Sequence, residues 1–406
     1  MENTLIGILQ AVNQSIFQRN GPFIGNLLSI RKDMKSLQEL VLSGRFINPD
    51  QEIHRILLDP LWIDVVSCFW RTSIALGSKQ DIVEATNEQL VFVQSVLKGL
   101  LTWEAWVLPV LFAVCRDLEI LACRADSFLR LRKEKAEKSE EAARLINKAF
   151  TVCITDRAPI EMSRKWGTYY IIGILFKIYF KINKFSLSEN VLRAIEVSEM
   201  PPLECFPKSH VVTYKYYLGV FAFLNEKYTV AETELMASLE LCQKKSIKNL
   251  ELILTYLIPT LLLTSQKMPS NALLSNFLRL KNLYEPLKKY IRKGNLREYD
   301  RLLLEKEKEL MNRRVYLVIE KIRDTCIRNL FRRVFFLNEK STRIPIQQFH
   351  IALRHAGLNN DTTETECFLA NMIYKGFMKG YIHQERQMVI LSVKDPFPKT
   401  VKLYNF

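Results

Sequence analysis

Five histidines, eight cysteines and a row of alternating carboxylates are the residues of this 406-residue chain that could hold a metal or move a proton. His350 and His355 stand five apart, one step beyond the i,i+4 spacing that aims two imidazoles at one zinc ion from a helix. The cysteines (Cys68, Cys115, Cys123, Cys153, Cys205, Cys242, Cys326 and Cys367) form no CxxC pair. Most sit in apolar surroundings, where a reduced thiol acts as a small core residue, so a reducing compartment and no zinc site are expected. Glu305, Glu307 and Glu309 alternate with Lys306 and Lys308, the pattern of a solvated helix. No HExxH, GxSxG, P-loop or GxGxxG occurs. No set of nucleophile, base and orienting group can be assembled, so the expectation is a non-catalytic protein without cofactor or metal.

The basic residues carry a stronger signal. The chain has 58 Lys and Arg against 43 Asp and Glu, a net charge of +15, and this excess suits polyanions. Between Arg279 and Arg343 there are 19 basic and 9 acidic residues, so most of the excess is concentrated there. At about 100° per residue, Arg314, Lys321, Arg328 and Arg332 fall within roughly 40° of one another on a helix. Val315, Ile319, Ile322, Cys326 and Leu330 fall on the other side. The spacing predicts a cationic ridge that Arg333 and Arg343 extend, with Lys375, Lys379 and Arg386 following in the next module. Such residues neutralise phosphates of RNA or duplex DNA without reading bases. With no aromatic interleaved for stacking, the binding would be mainly electrostatic. An acidic protein, or a plainly solvated helix face, would suit the same residues.

The elements that must position these side chains read as mainly α. Only 13 Gly and 14 Pro occur, and 48% of residues are hydrophobic, which favours short loops, helices and a large core. In "VVTYKYYLGVFAFLNEKYTVAETELMASLELCQ", residues 211–243, Gly219 and Ala231 remove side chains where two helices cross, and Tyr228 fills the space by the turn. Leu218, Gly219, Tyr228, Ala231 and Leu235 match the tetratricopeptide spacing, with Lys215 where an aromatic is usual. Further helical pairs are expected at 247–265, 270–293, 295–311 and 313–337, stacked as repeats that present extended protein-binding surfaces. Trp62, Trp70, Trp103 and Trp106 read as core anchors, "RLRKEKAEKSEEAARL" (130–145) as a solvated helix or a mobile helix junction, and "PPLECFP" (201–207) as a boundary.

After Lys340 the pattern changes. "IPIQQFHIALRH" (344–355) reads as a short helix, and 363–380 as a second that stops at Gly380. Alternating "YIHQER" and "QMVILSV" then read as a hairpin, making a winged helix. "MVIL" suits either a partner or the chain's own core, and Met388, Val389 and Ile390 are the candidate partner-binding residues. "MENTLIGILQ" lacks the basic start of a signal peptide. "LELILTYLIPTLLL" reads as too short to cross a bilayer, so no membrane insertion is expected. The segments are therefore 1–60 (helical), 61–207 (helical repeats), 208–340 (further helical repeats), 341–395 (winged helix) and 396–406 (tail).

A helical-repeat stack running into a winged helix is the layout of a PCI domain. "SRKWGTYYIIGILFKIYFKINK" (163–184), "VTYKYYLG" (212–219), "ILTYLIPTLLL" (253–263), "GNL" (294–296), "RNLFRRV" (328–334) and "LANMIYKGFMKGYIHQERQMVILSVKDPFP" (369–398) resemble the PCI-domain-containing protein two family. That family includes the Thp-one type subunit and the signalosome-associated subunit twelve. The likeness runs in order over about residues 60 to 400, and 208–340 is then the PCI repeat part. The resemblance implies a nuclear subunit of the transcription-coupled mRNA export complex at the nuclear pore. There it would pair with a larger PCI scaffold of the Sac type and with a small acidic Sem/Dss-type protein. It leaves open, as the alternative, a subunit linked to the COP signalosome or to splicing, without a nucleic-acid role.

Overall fold

The computed structural model describes residues 5–30, 49–77 and 80–398, and its contacts divide the chain into two compact units, Met1–Tyr214 and Lys215–Phe406. The first unit holds α1 (Leu5–Phe17), α2 (Gly21–Leu27), α3 (Pro49–Ile56), α4 (Pro60–Gly77), α5 (Ile82–Leu100), α6 (Leu108–Leu131), α7 (Lys138–Ile154), α8 (Thr168–Lys181) and α9 (Ser186–Val197). The division falls inside one helix, α10 (Lys208–Leu224), which begins just after the proline cluster. The prolines themselves bracket a single 3-10 turn, Leu203–Cys205.

Apolar residues at helical spacing build the core of the first unit. Trp62 is buried and stacks on Trp103 at 4.4 Å and on Trp106 at 6.1 Å, so three of the chain's five tryptophans share one cluster. Trp70 is buried separately. Helix α2 approaches the start of α6 on its glycines: a Cβ on Gly25 would lie 2.7 Å from the Pro109 carbonyl oxygen. Of the two readings of the charged 130–145 stretch, a solvated helix or a junction, the structure shows a junction followed by the start of α7. There α6 ends, and the buried Asp126 carboxylate accepts the backbone N–H groups of Lys138 and Ser139 at the start of α7. These are donors that a helix start leaves without intrahelical partners. Glu119, also buried, receives Lys177 at 2.9 Å and Lys181 at 2.6 Å, which satisfies both oxygens of a charge that would be costly alone.

The second unit continues with α11 (Tyr228–Leu241), α12 (Ile247–Thr264), α13 (Asn271–Ser275), α14 (Leu278–Lys293), α15 (Leu296–Glu305), α16 (Glu307–Asn312) and α17 (Tyr316–Leu337). The predicted crossing is present. A Cβ on Gly219 would meet the Leu235 Cγ at 2.6 Å, Ala231 is fully buried, and Tyr228 is buried edge-on to Phe223 at 5.9 Å. Lys215 fills the unusual position by pairing with Glu234 at 2.8 Å. Not every expected pair is a pair: 247–264 is one helix and 316–337 is one helix.

Helix α12 also corrects the length argument. It is the one described helix long and apolar enough to cross a membrane, and much of it is buried within the unit. Pro259 inside it lacks an N–H, which leaves the Thr255 carbonyl without its helical donor. The buried Tyr284 hydroxyl donates to that oxygen at 2.9 Å, so α12 is built to pack against α14.

The chain ends in a winged helix: β1 (Arg343–Pro345), α18 (Ile346–His355), α19 (Thr362–Tyr374), β2 (Gly380–His383) and β3 (Met388–Leu391). Asp361 and Glu364 form a reciprocal cap at the start of α19. This helix stops at Tyr374, before the expected Gly380, because Gly376 takes a left-handed turn (φ 74°) and Phe377 and Met378 both donate back to the Met372 carbonyl. Gly380 instead opens β2, where a Cβ would lie 2.3 Å from the Ile390 carbonyl oxygen. The sheet is antiparallel in the order β1-β3-β2. Taken with the repeats before it, the fold is mainly α, a stack of helical repeats ending in a winged helix.

Candidate nucleic-acid and partner interface

The ridge predicted on α17 forms only in part. Arg332 and Arg333 are exposed one turn before the helix ends. Lys321 is engaged: its ammonium lies 2.7 Å from the Glu226 carboxylate and 3.4 Å from the Tyr228 hydroxyl. Partial burial would lower its pKa, but these partners outweigh that and raise it.

Arg328 is the larger departure. It shares the face of Lys321 and Arg332, yet only 5% of it is exposed. Its guanidinium donates to the Phe397 carbonyl at 2.5 Å, the Pro398 carbonyl at 3.0 Å and the Asn329 side chain at 2.7 Å. The helical wheel could not show this, because what covers the residue comes from 69 positions away.

In the winged helix, Lys375 caps the end of α19 and Lys379 lies in the turn before β2, so neither sits within the helix as expected. Lys375 donates to Asp324 of α17 at 2.7 Å. Lys379, Arg343 and Arg386 are exposed, with no carboxylate within 4 Å among the described residues. The free cations of the prediction are therefore Arg332, Arg333, Arg343, Lys379 and Arg386.

Two features escaped the sequence reading. The first is aromatic: Phe336, 44% exposed, lies under the Arg332 guanidinium at 4.8 Å and the Lys340 ammonium at 5.8 Å. The ridge thus does interleave an aromatic, and the i,i+4 spacing of Arg332 and Phe336 was the available signal. The second is a groove of about 470 Å³ between the end of α14, the last turns of α17 and the outer face of α18. Lys293 and Arg333 supply its positive edge, His355 lines it beside them, and Leu337 and Ile351 form its apolar wall.

The wing sorts its residues by strand alternation. Ile344, Val389 and Ile382 form one cross-strand row, and Val389 is fully buried in the chain's own core. Val389 is therefore not a partner-binding residue. Arg343, Ile390 and Tyr381 form the next row on the opposite face, followed by Pro345, Met388 and His383. That face keeps Met388 and Ile390 half-exposed and Tyr381 58% exposed. Because β3 is the central strand, neither of its edges is open, and the unpaired edges belong to β1 and β2.

The PCI domain family model matches residues 276–393, which run from just before α14 to just past β3. The chain is 40% identical to a "Protein CSN12 homolog" of Schizosaccharomyces pombe over 96% of each chain. The chain belongs to this family of PCI-domain proteins. A zebrafish (Danio rerio) "PCI domain-containing protein 2" is 34% identical over 97% of this chain and 98% of its own. An Arabidopsis thaliana "Enhanced ethylene response protein 5" is 33% identical over 79% and 77%. As a PCI-domain protein of this family, the chain has its match centred on the α14–α17 helices and the winged helix that hold the cationic and apolar faces.

Proposed function

We propose that this protein is a non-catalytic PCI adaptor subunit of the transcription-coupled mRNA export complex in the nucleus, at the nuclear pore. It pairs with a larger PCI scaffold of the Sac type and a small acidic Sem/Dss-type chain, and it contributes a basic surface for RNA or DNA. The observation that carries the nucleic-acid part is the set of exposed cations Arg332, Arg333, Arg343, Lys379 and Arg386, none with a carboxylate partner among the described residues. Unpaired exposed cations attract and release counterions, so they bind phosphates at little desolvation cost. Phe336 beneath Arg332 adds a stacking plane that does not depend on base identity. The apolar sheet face of Met388, Ile390 and Tyr381 supports a second protein subunit at the wing.

The test is the triple variant Arg333→Glu, Lys379→Glu and Arg386→Glu, assembled with its partner subunits and titrated with mixed-sequence RNA and duplex DNA at two salt concentrations. The expected result is weaker binding and a salt slope reduced by about 0.7 per lost contact on single strands. Unchanged affinity and slope in an intact complex refute the nucleic-acid role. Copurification of the tagged protein from nuclear extract tests the assembly: recovery without a second PCI subunit refutes it.

A further inference from the structure

Arg328 is a buried cation with no carboxylate within ion-pair distance among the described residues, and its Nε has no hydrogen-bond partner there. Its neighbours on the same helix face, Lys321 one way and Arg332 the other, reach solvent. What fills the space over Arg328 is the segment after β3, which offers it two carbonyl oxygens on one guanidinium nitrogen.

Oxygen acceptors at such distances are what a phosphodiester presents to an arginine fork, with a full negative charge added. We propose that Arg328 is the centre of a phosphate-binding site that Phe397 and Pro398 occupy with their own carbonyl oxygens, and that a nucleic-acid phosphate replaces them when this segment lifts. The proposal rests on the nucleic-acid role proposed above and specifies how part of that surface is masked.

The energetics fit. Neutral carbonyls compensate a buried charge only partly. Burial, and then the nearby Arg332, push the Arg328 guanidinium down to about 10. The covering segment is held at few points: the buried Phe397 packs on Phe335 at 5.7 Å, its carbonyl and that of Pro398 accept from Arg328, and the Lys379 N–H donates to the Pro396 carbonyl at 2.9 Å. Pro396 and Pro398 have no N–H to donate, so no ladder can form here. A short segment outside any ladder can open locally, below the free energy of global unfolding. Lifting this one would also release the backbone beside Lys379, one of the exposed cations.

The full chain with Phe397→Ala, in which the anchor is lost, tests the site. Mixed-sequence single-stranded RNA and duplex DNA are titrated from 0.05 to 0.2 M salt. The variant should gain one contact: affinity up about fivefold near 0.1 M salt for RNA, with a slope steeper by about 0.7, or about 0.9 for duplex DNA. Adding Arg328→Gln to Phe397→Ala should remove the gain. Phe397→Leu, a milder change, should give the same sign at smaller size if the alanine variant does not fold. A folded Phe397 variant with wild-type affinity and slope, or a gain that survives Arg328→Gln, overturns the masked site. Absence of salt-dependent binding in wild type and in every variant instead refutes the nucleic-acid role itself.

Discussion

The Lys375 ammonium at the end of α19 donates to the Asp324 carboxylate of α17 across 2.7 Å, fixing the winged helix to the last repeat helix with a charge that is thereby withdrawn from the surface. Pairing of this kind separates basic residues that count toward a polyanion from those that only look as if they do.

The separation is measurable. Lys375→Ala should leave the salt slope of RNA binding unchanged, while Arg333→Ala should reduce it by about 0.7. Equal effects from the two would show that the Asp324 pair opens on binding.

At the wing, alternate residues should behave differently. Val389→Asp places a charge in the core and should unfold the winged helix, read as lost protection of β1–β3 in hydrogen exchange. Ile390→Asp lies on the outer face and should keep the fold while weakening capture of a second PCI subunit. A folded Val389→Asp chain would overturn the sheet register.

Gly219→Val should destabilise the second unit by about 1–3 kcal/mol, because the added carbons meet Leu235 at the helix crossing. Leu235→Ala in the same chain should recover part of that loss, so a double-mutant cycle in urea should report positive coupling. Additive losses would mean that the two helices do not cross here.

The first unit carries an acid-sensitive contact. Burial would raise the Asp156 pKa, but Arg164 and Ser163 donate to its carboxylate and lower it to about 2. Since the folded pKa lies below the unfolded one, the contribution is present above about pH 4 and is lost as pH falls toward 2. It amounts to about 2 kcal/mol. Asp156→Asn should cost that much at pH 7, and the difference from wild type should vanish near pH 2. A constant difference across that range would refute the assignment.

The repeat fold was readable because its determinants are local. Gly219, Tyr228 and Ala231 lie within one helix pair, and their spacing alone dictates a close crossing. The winged helix was readable for the same reason, apart from the end of α19, where the left-handed Gly376 stops the helix before Gly380. The candidate site was less legible because its sorting is non-local. Arg328 and Arg332 are equivalent on a wheel, and only the return of Phe397 and Pro398 distinguishes them. Likewise Val389 and Ile390 are both apolar residues of one strand, and only the register against Ile344 and Ile382 gives one to the core and the other to solvent.

The strand order β1-β3-β2 makes the last strand the keystone. Arg343–Pro345 and Gly380–His383 have no bonds to each other and meet only through Met388–Leu391. A premature stop between His383 and Met388 would therefore not trim the wing by one strand. It would leave two unpaired ribbons and open apolar rows at Ile344 and Ile382, a template for aggregation and a mark for quality-control proteolysis.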